Sequence, residues 1–209
     1  KVVSLPQYAE GIFKPEERKK KADGYINLMF AGNIGVAQSV DTIVKAAKLT
    51  EDIKNLQWHI VGDGSEIQRF KNMTRGMNQI IFHGRKSLEE MPKYYSMADA
   101  MLVTMKKDPV LSMTLPGKVQ TYMAAGKPIL GAIDGETQKV IEESGCGICG
   151  PAEDAELLAK NIRLFIQNTN KEKLGNNAKT YYDKYFDKNL FISKLKKEFD
   201  KSIAEGMKQ

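Results

Sequence analysis

From residue 25 onward, short apolar runs alternate with longer amphipathic stretches, the pattern of strands and helices taking turns in a parallel α/β sheet. The apolar runs predict strands over Ile26–Ala31, Gln57–Val61, Ile80–His83, Ala100–Thr104, Pro128–Ala132 and Gly147–Cys149. Between them the 3.6-residue period predicts helices over Ser39–Thr50, Ser65–Arg75, Leu88–Met97, Pro116–Ala125 and Glu136–Glu143. A longer helix, Ala155–Gln167, carries Leu158, Ile162, Phe165 and Ile166 on one face. Right-handed crossovers put such helices on both faces of a doubly wound parallel sheet of about six strands.

The ends of the chain do not follow this rhythm. Residues 1–24 hold one apolar segment and then the charged run Lys14–Lys21, and read as an interdomain connector. Residues 171–209 read as two further helices, the second with Phe191, Leu195 and Phe199 at i, i+4 and i+8 among lysines. That stripe must pack on something, either this domain or a neighbour. The division is therefore 1–24 connector, 25–170 sheet domain and 171–209 C-terminal helices. Because the sequence opens on Lys1 inside an apolar run, it is expected to be a piece of a longer protein.

Composition narrows the partners. The net charge of +6 belongs to the ends: residues 1–24 contribute +2, residues 171–209 contribute +4, and the middle is neutral. Such ends are either solvated helix faces or surfaces attractive to anionic headgroups or a phosphorylated partner. Nucleic acid is disfavoured, since basic and acidic residues alternate without a cationic stripe. No apolar run is long enough to span a bilayer. Cys146 and Cys149 lack the further ligands that a zinc site needs, because His59 and His83 lie in apolar strand-like runs; they read as core cysteines of a reducing cytoplasm. No metal is expected.

In a doubly wound sheet the ligand lies off the carboxyl ends of the strands, so the loops there carry the candidate chemistry. After the first strand comes Gly32-Asn33-Ile34-Gly35-Val36-Ala37-Gln38, a Gly-x-x-Gly turn that either cradles phosphate with backbone N–H groups or is a plain turn. It is neither a dinucleotide fingerprint nor a P-loop. Gly62-Asp63-Gly64-Ser65 follows the second strand, with Ser65 a candidate helix cap, and Gly84-Arg85-Lys86 follows the third. Pro116-Gly117-Lys118 opens a helix with a cation beside N–H groups that already favour anions, the best diphosphate site of the set. No acid/base pair, nucleophile elbow or metal cluster accompanies these loops, so the residues speak for binding more than for reaction.

Five blocks in order carry a resemblance: Phe30-Ala31-Gly32-Asn33-Ile34-Gly35, Ile60-Val61-Gly62-Asp63-Gly64-Ser65-Glu66, Phe82-His83-Gly84-Arg85, Tyr94-Tyr95-x-x-Ala98-Asp99, and Tyr122-Met123-Ala124-Ala125-Gly126-Lys127-Pro128-Ile129. Over roughly residues 25–165 the chain resembles the donor-binding, C-terminal half of family 4 glycosyltransferases, retaining enzymes of the two-domain GT-B fold. It is similar in particular to a bacterial subgroup acting in capsule and O-antigen synthesis. The resemblance implies that Gly32, Asn33, Gly35 and Gln38, with Pro116, Gly117, Lys118, Gln120 and Thr121, hold the diphosphate and sugar. It implies that Gly62, Asp63, Gly64, Gly84, Arg85 and Lys86 hold the nucleoside, and that the last helix crosses back onto the N-terminal half. Two departures stand out. Met113 and Thr121 occupy the positions of an acidic pair common in the family, and Asn33 with Gln38 or Ser39 replaces a basic pair.

The expected function is transfer of a sugar from a nucleotide diphosphate sugar, a UDP-sugar first, to a polyprenyl-diphosphate-linked saccharide at the cytoplasmic membrane face. No cofactor or metal is expected, the N-terminal half would bind the acceptor, and this piece alone would be inactive. The alternatives are a non-catalytic nucleotide-sugar-binding subunit and a domain like that of a nucleotide-sugar 2-epimerase. The latter needs acids near the sugar, which Met113 and Thr121 do not supply.

Overall fold

The computed structural model of the chain describes residues 2–15, 24–168 and 170–206. Much of the charged run Lys14–Lys21 therefore lies outside the described residues. Six strands form one all-parallel sheet: β1 (Ile26–Ala31), β2 (Leu56–Val61), β3 (Ile80–Gly84), β4 (Ala100–Thr104), β5 (Ile129–Ala132) and β6 (Gly147–Gly150). Their order across the sheet is β3-β2-β1-β4-β5-β6. The doubly wound expectation holds, and two of the six strands have the bounds that the apolar runs predict.

The helices are α1 (Val40–Leu49), α2 (Ile67–Met73), α3 (Met91–Met97), α4 (Pro109–Ser112), α5 (Gly117–Ala124), α6 (Glu136–Ser144), α7 (Ala155–Asn168), α8 (Lys171–Tyr185) and α9 (Lys188–Gly206). The four-residue α4 escapes a periodicity argument; it is a local turn nucleated by Asp108, whose Oδ1 accepts from the N–H groups of Val110 and Leu111 at 2.8 and 2.9 Å. Pro116 stands one residue outside α5 as its cap residue, with extended backbone.

Strand alternation sorts the core into two layers. Leu28 and Phe30 of β1 join Trp58, Ile60, Ile43 and Leu158 on one face, where α1 packs on α7. Met29 and Ala31 join Met101, Val119, Tyr122 and Tyr95 on the other, where α5 packs on α8. Cys146 is buried, and both cysteines are free thiols that burial pushes up, to about 11 for Cys146 and about 12 for Cys149. Among the described residues no helix is long and apolar enough to cross a membrane.

The described part of the amino-terminal segment is pinned to the domain. Phe13 is buried and stacks on Tyr95 at 5.1 Å between ring centroids, and the Ala9 N–H donates to the Tyr182 hydroxyl at 3.1 Å. Tyr8 meets Phe191 of α9 edge-on at 5.2 Å. The rest of the α9 stripe stays open, with Phe199 and Ile203 more than half exposed.

Candidate functional site

β1 pairs with β2 on one side and with β4 on the other, so the chain winds away in both directions from the β1–β4 boundary. The loops that leave the carboxyl ends of β1 and β4 diverge there and open a crevice. Beside it lies a cleft of about 630 Å³ lined by Gly32, Asn33, Val61, Gly62, Asp63, Gly64, Arg85, Lys86, Leu88 and Met91. All the nucleoside candidates except Gly84 thus share one wall with Gly32 and Asn33. A second cleft, of about 500 Å³, lies at the other end of the sheet among Ala98, Asp99, Lys127, Lys171 and Lys179.

Glycine is required here by backbone packing. A Cβ on Gly62 would sit 1.9 Å from the Gly32 carbonyl oxygen, and one on Gly64 would sit 2.4 Å from the Ile34 carbonyl oxygen. The two loops are laced together: the Ile34 N–H donates to the Asp63 carbonyl and the Glu66 N–H to the Ile34 carbonyl, at 2.8 and 2.9 Å. The floor of the cleft is therefore rigid main chain, which lets a ligand approach closely.

Several candidates are already occupied. The Gly35 N–H donates to Gln38 Oε1 at 3.0 Å, so neither group is free for a phosphate in this state. Gln120 is buried, and with its amide oriented so that the nitrogen faces the carbonyls of Pro116 and Gly117, at 2.8 and 3.3 Å, it is satisfied at its own helix start. Thr121 Oγ1 donates to the Lys118 carbonyl and lies 3.2 Å from the Tyr95 hydroxyl, tying α5 to α3. Gln120 and Thr121 are thus turned inward, because α5 is a short helix whose remaining faces pack on the sheet and on α8. Met113 is exposed just after α4.

Lys118 is held differently. The Tyr122 hydroxyl donates to the Ala31 carbonyl at 2.7 Å and accepts from the Ala31 N–H at 3.0 Å, clamping α5 to the end of β1. Lys118 lies one turn earlier, on the same helix face. Its stem reaches solvent in part, but its Nζ is enclosed and has no hydrogen-bond partner among the described residues. The amine rests 4.0 Å from the centroid of the buried Phe30 ring. Gly32 lies against that amine: a Cβ there would meet Nζ at 3.6 Å, an ordinary contact, and it is the backbone φ of +136° that calls for glycine. Burial alone lowers Lys118 from the ordinary lysine value to about 7.

Arg85 is exposed on the rim, and Lys86 lies over the Tyr94 ring at 5.4 Å, with its pKa raised by its hydrogen bond to Tyr94. Beside them Leu88 and Met91 give the cleft an apolar side. The sequence pattern overlooked both, although their place just after Arg85-Lys86, at the start of a helix, marked them as rim residues. Phe30, the partner of Lys118, was visible only as a core position.

A further polar cluster lies inside the sheet. Asn27 donates through Nδ2 to the Met97 carbonyl at 3.2 Å, so its Oδ1 accepts from His59 Nε2 at 3.1 Å. His59 Nδ1 then accepts from His83 Nε2 at 2.8 Å, which assigns both tautomers. Burial first, and the Lys86 charge second, lower the pKa of His83. These histidines form a structural chain between strands, in keeping with their apolar sequence setting.

Comparison with known proteins fits this geometry. The model of the family "Glycosyl transferases group 1" matches residues 13–181. The chain belongs to the group 1 glycosyl transferases. Among curated relatives of this group 1 glycosyl transferase chain, the uncharacterized glycosyltransferase MJ1069 of Methanocaldococcus jannaschii is 26% identical over 199 residues, covering 93% of this chain and 50% of that protein. The putative colanic acid biosynthesis glycosyl transferase WcaI of Escherichia coli is 28% identical over 141 residues, covering 65% of this chain and 34% of that protein. The chain thus spans half or less of the curated relatives it matches. Among solved structures, HepE of Anabaena in complex with UDP and glucose superposes with a TM-score of 0.70 at 17% identity, over 84% of this chain and 48% of that one. The α/β architecture is that of a GT-B glycosyltransferase half.

Proposed function

We propose that this chain is the donor-binding half of a retaining glycosyltransferase that takes a sugar from a nucleoside diphosphate sugar, a UDP-sugar first, to a lipid-linked saccharide in surface polysaccharide synthesis. The observation that carries the donor-binding reading is the unpartnered, enclosed amine of Lys118 beside Gly32, at the switch point of the sheet. A buried amine with no partner is costly, and a diphosphate is the complementary charge that such a crevice accepts. The cleft between Gly62 and Met91 takes the nucleoside, with Leu88 and Met91 against the base. Lys118, with Arg85 and Lys86, neutralises the diphosphate and lowers the barrier to its departure; no metal is required for that charge.

The surface-polysaccharide reading is supported by the colanic acid relative, and the basic ends of the chain suit a membrane-facing, cytoplasmic enzyme. Acceptor contacts and any base belong to the half that this chain does not span, so it alone binds donor without transferring sugar. Titration calorimetry with UDP, GDP and ADP tests the core of the reading. At least one should bind with a dissociation constant below the millimolar range, and heat from none of the three overturns donor binding.

A further inference from the structure

Lys118 does not line the cleft; Gly32 both lines it and lies against the Lys118 amine. As it stands, Lys118 is put away behind the loop it would serve. Resting on the donor-binding reading above, we propose that Lys118 is a stowed, proton-coupled receptor: its amine lies neutral against Phe30 when the site is empty, and arrival of a diphosphate draws it out as an ammonium that has taken one proton from solvent.

Three observations support this. Among the described residues the Nζ has no hydrogen-bond partner, so ring contact and van der Waals packing are what it gives up when it moves. The side chain is a flexible four-carbon stem anchored on a helix that Tyr122 fixes to β1, so the swing needs no backbone change. Burial has already brought the amine to about 7, where the neutral form prevails above neutral pH. A bound dianion reverses that balance, since an opposite charge within contact distance favours the charged form.

The other titratable groups on the elements around Lys118 do not take over this role. Tyr122 on α5 and Tyr95 on α3 are both raised by burial, Tyr95 to about 12, and remain protonated across the range concerned. Asp63 follows β2, Arg85 and Lys86 follow β3, Lys106 follows β4 and Asp134 follows β5. Among the described residues none of these hydrogen-bonds to the Lys118 amine, and burial is what lowers its pKa. His83 lies below its ordinary value of 6.5 and is already neutral at pH 8.

Calorimetry with UDP, or with GDP or ADP if one of these binds more tightly, at pH 8 in two buffers of different ionisation enthalpy counts the protons. At that pH the terminal phosphate has lost its own second proton, with a pKa of about 6. Uptake approaching one proton per nucleotide is expected, with affinity weakening up to about tenfold per pH unit between pH 7.5 and 9. Lys118→Arg, which cannot shed its charge, should bind without uptake and with flat affinity over that range. In the ligand-free chain, ¹H–¹⁵N detection of the lysine amines should show one titrating near neutrality, identified by its loss in Lys118→Met and moving above pH 9 with nucleotide. Nucleotide binding without proton uptake, or a Lys118 amine that titrates at the ordinary lysine value, overturns the proposal while donor binding stands. Failure of all three nucleotides to bind overturns both.

Discussion

Two polar centres are buried in this sheet, and they are finished to different degrees. In the His59 centre the buried groups are joined in a chain: Asn27 binds Asp99 and Met97, His59 binds Asn27, and His83 Nε2 binds His59. In the Lys118 centre the amine itself has no hydrogen bond among the described residues. The indole N–H of Trp58 and the amide nitrogen of Gln79 also lack partners among the described residues, but neither group takes up a proton to meet an anion, as an amine does. The difference teaches how to read buried polarity. A completed network is explained by the fold it holds together; an incomplete one beside a crevice points to a ligand that completes it.

The comparison breaks most clearly at Lys118. Lys118→Met should weaken UDP binding at least about a hundredfold, as expected when a buried charge partner of a phosphate is removed. The same change should raise unfolding stability by roughly 3 kcal/mol near pH 7, since holding an amine more than three pKa units below its ordinary value is a folding penalty. Urea unfolding and calorimetry on one preparation read both, and loss of stability together with loss of binding would assign Lys118 to structure.

His59→Leu should do the opposite. It strands Asn27 Oδ1 and His83 Nε2, and should cost about 2 kcal/mol or more in urea unfolding while changing UDP affinity less than about threefold. A large loss of affinity would couple the two centres and sink the distinction.

The smallest effect sharpens the pH behaviour. Both Lys118 and His83 have folded-state values below their unfolded ones, so in each case the unfolded chain holds more protons in the window between the two. Stability therefore rises with pH through each window, below 6.5 for His83 and upward from about 7 for Lys118. His83→Gln should flatten only the acidic part, and Lys118→Met only the part between pH 7 and 8.5, before the raised cysteine thiols begin to act in the other direction. Melting temperatures across pH 5.5–8.5 for both variants check the assignment.

Particular residues show how far the sequence could be read. Strands such as Ile26–Ala31 and Ala100–Thr104 are legible because burial on both faces demands an unbroken apolar run. The loops at their carboxyl ends are legible as glycine-rich interruptions. The family resemblance implies Gln38 and Gln120 at the donor site; in the structure Gln38 accepts from the Gly35 N–H and Gln120 lies against its own helix start. Proximity along the chain does not say which way a side chain turns. Leu88 and Met91 were passed over for the converse reason, as apolar residues read as core until the cleft beside them is seen.

Taken alone, the sequence determines the alternation of strand and helix, the family, and the presence of a cation at the mouth of α5, because local periodicity and motif order are properties of neighbouring residues. The tertiary structure decides which of the glycine loops lie back to back, which polar groups are already satisfied, and that the Lys118 amine is shut against Phe30 behind Gly32. These depend on contacts between strands and helices far apart in the chain, and on the loss of water that those contacts impose.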